Sequence, residues 1–542
     1  MIRIFLAKLM LCSTFVVSGA VDAASTDRLQ RPAESVENPR PQGKESPANT
    51  TAEKQTPNAD PSDEGIPRPP NVVLIMTDNQ GAWTLGCYGN RDIHTPHIDR
   101  LAGEGTLFTQ CYANNAVCSP TRASFLTGLM PCQHGVHTYL RAGGAQTGPK
   151  AYNTLREFDT LPSLLAEAGY VCGLSGKWHL GGNLSPQEGF SFWITKPHGH
   201  SEGFYDQRVI EDGQIRTEKQ YLTDLWTDRG VEFIKANRDR PFFLFLAYNG
   251  PYGLGSATHE PIRNRHQRTY ADATLPSFPR TKPHPWNHDF ADRIGELRSI
   301  RKYAAEVSGI DDGVGRVMAT LIELRLDENT LVVFTADQGM AGGHSGFWGM
   351  GDHTRPLTAF DWTTHVALIF RWPGHILGGK RSDLLVSHVD FLPTIVDYLN
   401  LKRNDQDPPQ SPGHSYAPIL RGQNVSNWCN AVYYEFENVR AIRTRRWKYI
   451  ERFRQEPNEL YDLRADPGEL LNLIEDSDHA GTRKELARRM HAWFARVADP
   501  KWDLWKGGTS KTGLIMQRLF ARPGPVFPSR AGGQFLPAEE GR

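Results

Sequence analysis

Four runs of apolar residues, each passing without a break into polar ones, constrain this chain more than any other feature. They are Asn71–Gln80 (NVVLIMTDNQ), Tyr170–Lys177 (YVCGLSGK), Phe242–Ala247 (FFLFLA, followed by Tyr248 and Asn249) and Leu331–Asp337 (LVVFTAD). A strand wetted on one face alternates apolar and polar side chains, whereas one buried on both faces reads as a continuous apolar run. Helix-like stretches lie between the runs, at Leu161–Ala168 and Tyr303–Leu324. Alternating strands and helices predict an α/β fold with a large, mostly parallel but mixed central sheet flanked by helices. In such sheets ligands gather beyond the carboxyl ends of the strands. The polar residues at the ends of the runs are therefore where a site belongs.

The stretch Cys118-Ser119-Pro120-Thr121-Arg122-Ala123-Ser124-Phe125-Leu126-Thr127-Gly128 supplies a candidate centre. Ser119 reads as an N-cap, Pro120 as a first-turn proline, and Gly128 as the left-handed residue that ends a short helix. Cys118 then lies at a helix N-terminus, where free N–H groups favour an anion. Arg122 follows one turn later on the same face. A thiol-derived nucleophile, an anion-binding helix end and a fixed cation suggest transfer of an oxyanion group. Asp78-Asn79 and Asp337-Gln338 end the first and last runs. Two carboxylates and two amide oxygens make a hard-oxygen set suited to calcium before magnesium. Gly176-Lys177-Trp178-His179-Leu180-Gly181 adds a compact cation, Lys177, and a titratable base, His179.

The pattern C-x-P-x-R-x-x-x-x-T-G resembles the signature of the type I, formylglycine-dependent sulfatases of the alkaline phosphatase superfamily. Further segments share the resemblance, including Leu85–Asn90, Thr95–Leu101, Val386–Thr394, Glu459–Leu463 and Asp466-Pro467. It extends over roughly residues 71 to 475. The resemblance implies an alkaline-phosphatase-like sheet and a smaller C-terminal α+β subdomain. It implies that Cys118 is converted to 3-oxoalanine (formylglycine) by a formylglycine-generating enzyme. It places one Ca2+ on Asp78, Asn79, Asp337 and Gln338, sulfate-binding cations at Arg122 and Lys177, and a base at His179. The chain also departs from the pattern. Asn79 stands where a second Asp is usual, and Gln338 where Asn or His is usual. Gly250-Pro251-Tyr252 replaces the Pro-His whose histidine serves the leaving alcohol, so Tyr252 and His200 are the two candidate acids. The second family lysine is missing, and His353 and Arg355 are its candidate substitutes, with Arg355 keeping the charge.

The 542 residues carry 61 basic and 61 acidic side chains, a balance that points to neither nucleic acid nor an anionic membrane. Arg3, Lys8, the apolar stretch Leu9–Val17 and small residues at Gly19, Ala20, Ala23 and Ala24 read as a secretory leader over 1–24. A lipid anchor at Cys12 fits poorly, because Leu11 precedes it, and no run is long enough to span a membrane. Export, to the periplasm or beyond, is the expectation. Residues 25–69 read as a disordered linker, 70–405 as the catalytic domain, 406–505 as the α+β subdomain and 506–542 as a tail, wrapped on the surface or loose. In the subdomain, strands are expected at Ala431–Phe436 and Arg440–Ile450 and a helix at Lys484–Val497. The basic and aromatic side chains of Arg445, Arg446, Trp447 and Lys448 make either a solvated strand face or a sugar contact. Seven cysteines, at 12, 87, 111, 118, 132, 172 and 429, leave five besides the leader residue and Cys118, so not all can pair. The expected function is hydrolysis of the sulfate ester of a small molecule or glycan. A phosphonate or phosphodiester hydrolase on the same scaffold and a catalytically silent sulfated-glycan-binding protein are the rivals.

Overall fold

The computed structural model describes residues 68–141, 143–403, 410–455 and 457–516. The expected leader, and nearly all of the expected linker, lie outside these residues. Eleven strands form the main sheet: β1 (Asn71–Asp78), β2 (Thr106–Tyr112), β3 (Val171–Gly176), β4 (Phe190–Thr195), β5 (Gln207–Glu211), β6 (Gln214–Glu218), β7 (Phe242–Pro251), β8 (Thr330–Ala336), β9 (His365–Arg371), β10 (Lys380–Ser382) and β11 (Val386–Ser387). Their order is β10-β2-β9-β8-β1-β7-β3-β4-β5-β6, with β11 also pairing β2. The centre is parallel, with Leu74 of β1 opposite Phe245 of β7 and Val333 of β8. Strand β9 runs antiparallel between β8 and β2, and β4, β5 and β6 form an antiparallel edge. The mixed, mostly parallel α/β sheet expected from the four apolar runs is the one observed.

Period-two geometry explains why those runs are unbroken. Along β7, Phe242, Leu244 and Leu246 join one apolar core while Phe243, Phe245 and Ala247 join the other. Strands β1 and β8 alternate in the same way. Helices Leu222–Ala236 and Leu297–Glu323 cover the first face, and Cys118–Thr127, Leu161–Glu167 and Phe391–Tyr398 cover the second. Both faces are closed, so the charged and amide side chains wait until the strands end, while Ser175 and Thr335 inside them hydrogen-bond to backbone carbonyls. Among the described residues, no helix is long and apolar enough to cross a membrane.

A separate meander holds β12 (Ala431–Phe436), β13 (Val439–Thr444), β14 (Trp447–Arg452) and β15 (Glu459–Asp462), all antiparallel. Helix Ala480–Val497 packs on it, with Trp493 stacked on Tyr433 at 4.0 Å between ring centroids. The single strand expected over Arg440–Ile450 is two strands, because Thr444 Oγ1 accepts the Trp447 N–H and turns the chain at Arg445 and Arg446. The Lys448 ammonium is buried against Asp361 and Glu469 at 2.5 and 2.6 Å, so it belongs to no open basic face. The meander also supports the loop before Cys118: Asn114 Nδ2 donates to Tyr433 O and Asn115 Nδ2 to Glu435 O. All six described cysteines are free thiols.

Candidate active site

Helix Cys118–Thr127 begins two residues earlier than its sequence suggests. Val117 is the N-cap residue, and its N–H is bound by Asn115 Oδ1 at 2.9 Å. Ser119 therefore lies inside the first turn and is not the cap. Its hydroxyl joins two loops, donating to His179 O at 2.8 Å and accepting from Leu140 N at 3.0 Å. Cys118 keeps the N-terminal position the motif implied, and Gly128 ends the helix at φ 69°, as expected. Every residue of this helix is buried.

Cys118 faces the ends of β1 and β8. Its Sγ lies 3.3 Å from Asp78 Oδ1 and 3.1 Å from Gln338 Nε2. Lys177, one residue beyond β3, holds Asp78 Oδ2 at 2.6 Å. Arg122 holds Asp337 Oδ2 at 2.9 Å through both Nε and Nη2, while its Nη1 donates to Lys177 O. Two carboxylates and two cations thus form two crossed ion pairs around the cysteine, with no net charge. Asp78, Arg122, Lys177 and Asp337 are completely buried. Burial alone would lower the Lys177 pKa, but the Asp78 charge outweighs it and the pKa is raised. Burial, then Asp78, pushes the Asp337 carboxyl above its ordinary range. Burial and then Asp78 also push the Cys118 thiol well up. As it stands Cys118 is a protonated thiol, and thiols are weak nucleophiles compared with thiolates.

One ligand atom from each of Asp78, Cys118 and Asp337 lies within 4.8 Å of the others. Asn79 Oδ1 accepts from Gln338 Nε2, and Gln338 Oε1 is buried with no hydrogen-bond partner. Converging carboxylates, an amide oxygen and an orphaned acceptor fit a hard divalent cation. The backbone presses these groups together: Asn79 sits at φ 60°, its N–H donates to Asp337 Oδ1 and its Nδ2 to Tyr252 O.

The remaining predicted residues surround this centre. His179 Nε2 donates to Leu140 O at 2.8 Å, leaving the buried Nδ1 a lone pair without a partner. Burial, then Lys177, holds its pKa well below the ordinary histidine value, so the ring is a neutral base. Gly199 is needed beside it, since a Cβ there would fall 2.1 Å from the ring. The two candidate acids are in contact, with His200 Nδ1 3.2 Å from the Tyr252 hydroxyl. Burial, then Lys177, lowers His200 to about 4, and burial, then Asp78, raises Tyr252 well above 10. Both are neutral near pH 7, so Tyr252 carries the transferable proton. Arg355 stands apart from the ion pairs. It lines an adjoining cleft of about 420 Å³, with Nη1 donating to the carbonyls of Asp352 and Thr354. His353 shares that wall. The cleft reaches the centre through Tyr252, His200 and Met350, whose Sδ lies 3.5 Å from Gln338 Nε2.

Two features had no sequence signal that was read. Lys196 is 2 % exposed, and its ammonium donates to Ser201 Oγ at 3.4 Å; burial, then Lys177, pushes its pKa down to about 7. The second is the segment Ser510–Met516, placed by composition in a tail. It is buried, and Ile515 completes one wall of the cleft. Glu437 anchors it by accepting the N–H groups of Ile515 and Met516 at 2.6 and 3.0 Å. Residues from 517 on lie outside the described residues.

Comparison with known proteins agrees with this geometry. The sulfatase family model matches residues 70–401, and the model for the C-terminal region of N-sulphoglucosamine sulphohydrolase matches 356–495. N-acetylglucosamine-6-O-sulfatase of Bacteroides thetaiotaomicron is 28% identical over 510 residues, covering 79% of this chain and 86% of that protein. N-acetylgalactosamine-6-sulfatase of Canis lupus familiaris is 33% identical, and the match spans 62% of this chain and 63% of that relative. A structure solved in complex with its substrate D-glucosamine-2-N,6-O-disulfate superposes with a TM-score of 0.62 at 25% identity, covering 79% and 98% of the two chains. Phosphonate monoester hydrolase of Agrobacterium radiobacter shares the fold, with a TM-score of 0.62 at 22% identity over 80% and 96% of the chains. The chain belongs to the sulfatase family and is a sulfuric ester hydrolase.

Proposed function

We propose that this protein is an exported, formylglycine- and calcium-dependent sulfatase that removes sulfate from a sulfated carbohydrate, with a 6-O-sulfated amino sugar as the first substrate to test. The observation that carries this reading is Cys118 at a buried helix N-terminus, enclosed by the Asp78–Lys177 and Asp337–Arg122 pairs. The names of two relatives, both 6-sulfatases of amino sugars, support the substrate class.

Calcium, held by Asp78, Asn79, Asp337 and Gln338, would turn the neutral cluster into one of charge about +2 and polarise sulfate oxygens. Formylglycine at position 118 would supply a hydrated-aldehyde hydroxyl as nucleophile in place of the inert thiol. Arg122 and Lys177 bind the remaining sulfate oxygens and offset charge that grows during transfer. His179 takes a proton at Nδ1, because Nε2 is committed to Leu140 O. Tyr252 gives its phenolic proton to the leaving alcohol while His200 orients the hydroxyl. Burial of every one of these ionic groups excludes water from the reacting atoms.

The first test is the mass of the tryptic peptide Leu101–Arg122 from protein made with a formylglycine-generating enzyme. Conversion of Cys118, with release of sulfate from 6-sulfated N-acetylhexosamine, is expected. An unmodified thiol beside a correctly modified control sulfatase would overturn the formylglycine reading. The shared fold keeps a phosphonate hydrolase as second reading. A kcat/KM for an aryl phosphonate or phosphodiester above that for the matching sulfate would favour it.

A further inference from the structure

We infer that Asp352 is a specificity-determining residue that reads the hydroxyl groups of the substrate's sugar ring. The inference rests on the proposed use of the cleft as a carbohydrate site. Asp352 lines the cleft and is 8 % exposed, and its Oδ1 is buried without a hydrogen-bond partner. The charged neighbour within ion-pair distance is His353, with Nδ1 at 3.3 Å from Oδ1. That nitrogen accepts the Met350 N–H, so its one in-plane lone pair is committed there and it offers the carboxylate no proton. Arg355 favours the ionised Asp352 through space but makes no hydrogen bond to its Oδ1. Its Nη1 is committed to the backbone carbonyls of Asp352 and Thr354, and its Nε is buried and unpartnered.

A carboxylate in this state is expensive, and burial raises its pKa accordingly. It is also held rigidly. Asn287 bridges Thr354, His288 N donates to His353 O and Arg355 N to Trp286 O, so the loop carrying Asp352 is fixed to the neighbouring one. An acceptor-only group fixed in a cleft lacks O–H or N–H donors. The substrate's sulfate cannot supply them and is repelled by a carboxylate, whereas hydroxyls of the ring that carries it supply them well. Glu202, Asp289 and Asp352 outnumber the Arg355 cation on the same walls, so the cleft lining still repels anionic groups. The cleft therefore favours a sugar bearing free hydroxyls over one densely sulfated around the ring.

The test compares wild type with the near-isosteric Asp352→Asn on three probes: 6-sulfated N-acetylhexosamine, its monodeoxy analogues and 4-nitrophenyl sulfate. Asp352→Asn should lower kcat/KM for the sugar by about 10- to 100-fold, mostly through KM, the range for hydrogen bonds to a charged group. Aryl sulfate turnover should stay within about twofold, because no ring hydroxyl is involved. At least one deoxy analogue should lose a similar factor with wild type and little more with the variant. Equal losses on sugar and aryl sulfate, or losses that multiply, would overturn the assignment. Should the variant not fold, the deoxy series on wild type decides: no loss above about threefold overturns it. Calorimetric binding of the desulfated monosaccharide separates this inference from the sulfatase reading. Binding that weakens in Asp352→Asn supports the inference even in a protein that releases no sulfate.

Discussion

The ion-paired centre and the cleft beside it are built by opposite rules. At the centre every carboxylate meets a cation, and the groups hang from the ends of β1, β3 and β8 or from one buried helix. The cleft draws Tyr139, His200, Asp352 and Ile515 from segments far apart in the chain and leaves Asp352 Oδ1 without a hydrogen bond. Strand ends hold atoms with the precision that bond-making needs, while loops can vary what is recognised without disturbing them. The contrast predicts that substitution at the centre stops the reaction, whereas substitution in the cleft changes the substrate.

The largest effect should come from Cys118→Ala, which removes the proposed source of the nucleophile: sulfate release should fall by at least about 10³-fold with the fold retained by circular dichroism. Full activity in that variant would place the chemistry elsewhere. Lys177→Met comes next, at about 10²- to 10³-fold in kcat, since it removes one fixed charge from a water-excluded site. A loss confined to KM would assign Lys177 to ground-state binding alone. His179→Ala should lower kcat by roughly 10²-fold or more. In wild type, the depressed pKa of His179 and the value of about 4 for His200 keep both rings neutral well below pH 6.5. The kcat/KM should therefore hold from pH 7 through pH 6 and fall as pH drops further; a fall centred near 6.5 would contradict the burial.

Calcium should sharpen the comparison by stabilising the centre alone. At a hundredfold excess over Kd it adds about 2.7 kcal/mol, visible as a rise in Tm over chelator-treated protein. Asp337→Asn should abolish most of that rise and Asp352→Asn none of it. The smallest effect concerns Lys196. Its folded pKa, about 7, lies below its unfolded value of 10.5, so the unfolded state binds more protons between the two. Wild-type stability relative to Lys196→Met should rise with pH across that window, and the variant should melt a few degrees higher near pH 7. A lower Tm for Lys196→Met would mean that the ammonium has an anionic partner.

What could be read beforehand follows from how local the information is. The strands were legible because burial on both faces leaves an unbroken apolar run, and the dipeptides Asp78-Asn79 and Asp337-Gln338 because they end such runs. Asp352 shares its motif with His353 and Arg355, and nothing local marks it, since a carboxylate oxygen without a donor is defined by the partners it lacks. Ser119 is a bridge and not a cap because the helix starts two residues before the position its sequence suggests. Lys196 and Ile515 were invisible for another reason. Their meaning comes from contacts with Ser201, Glu437 and the cleft walls, and composition carries no trace of such pairings.

The burial of Cys118 sets a deadline. In the folded protein the residue is 3 % exposed, inside a helix with no accessible side chain. Any enzyme that converts it must reach the segment while it is still extended. The Ile515 wall comes from the far end of the described chain. At roughly 5–20 residues per second, synthesis from Cys118 to Ser510 takes roughly 20 to 80 s. The order in which the ribosome delivers these two segments thus opens a window of that length before the fold can close over the thiol.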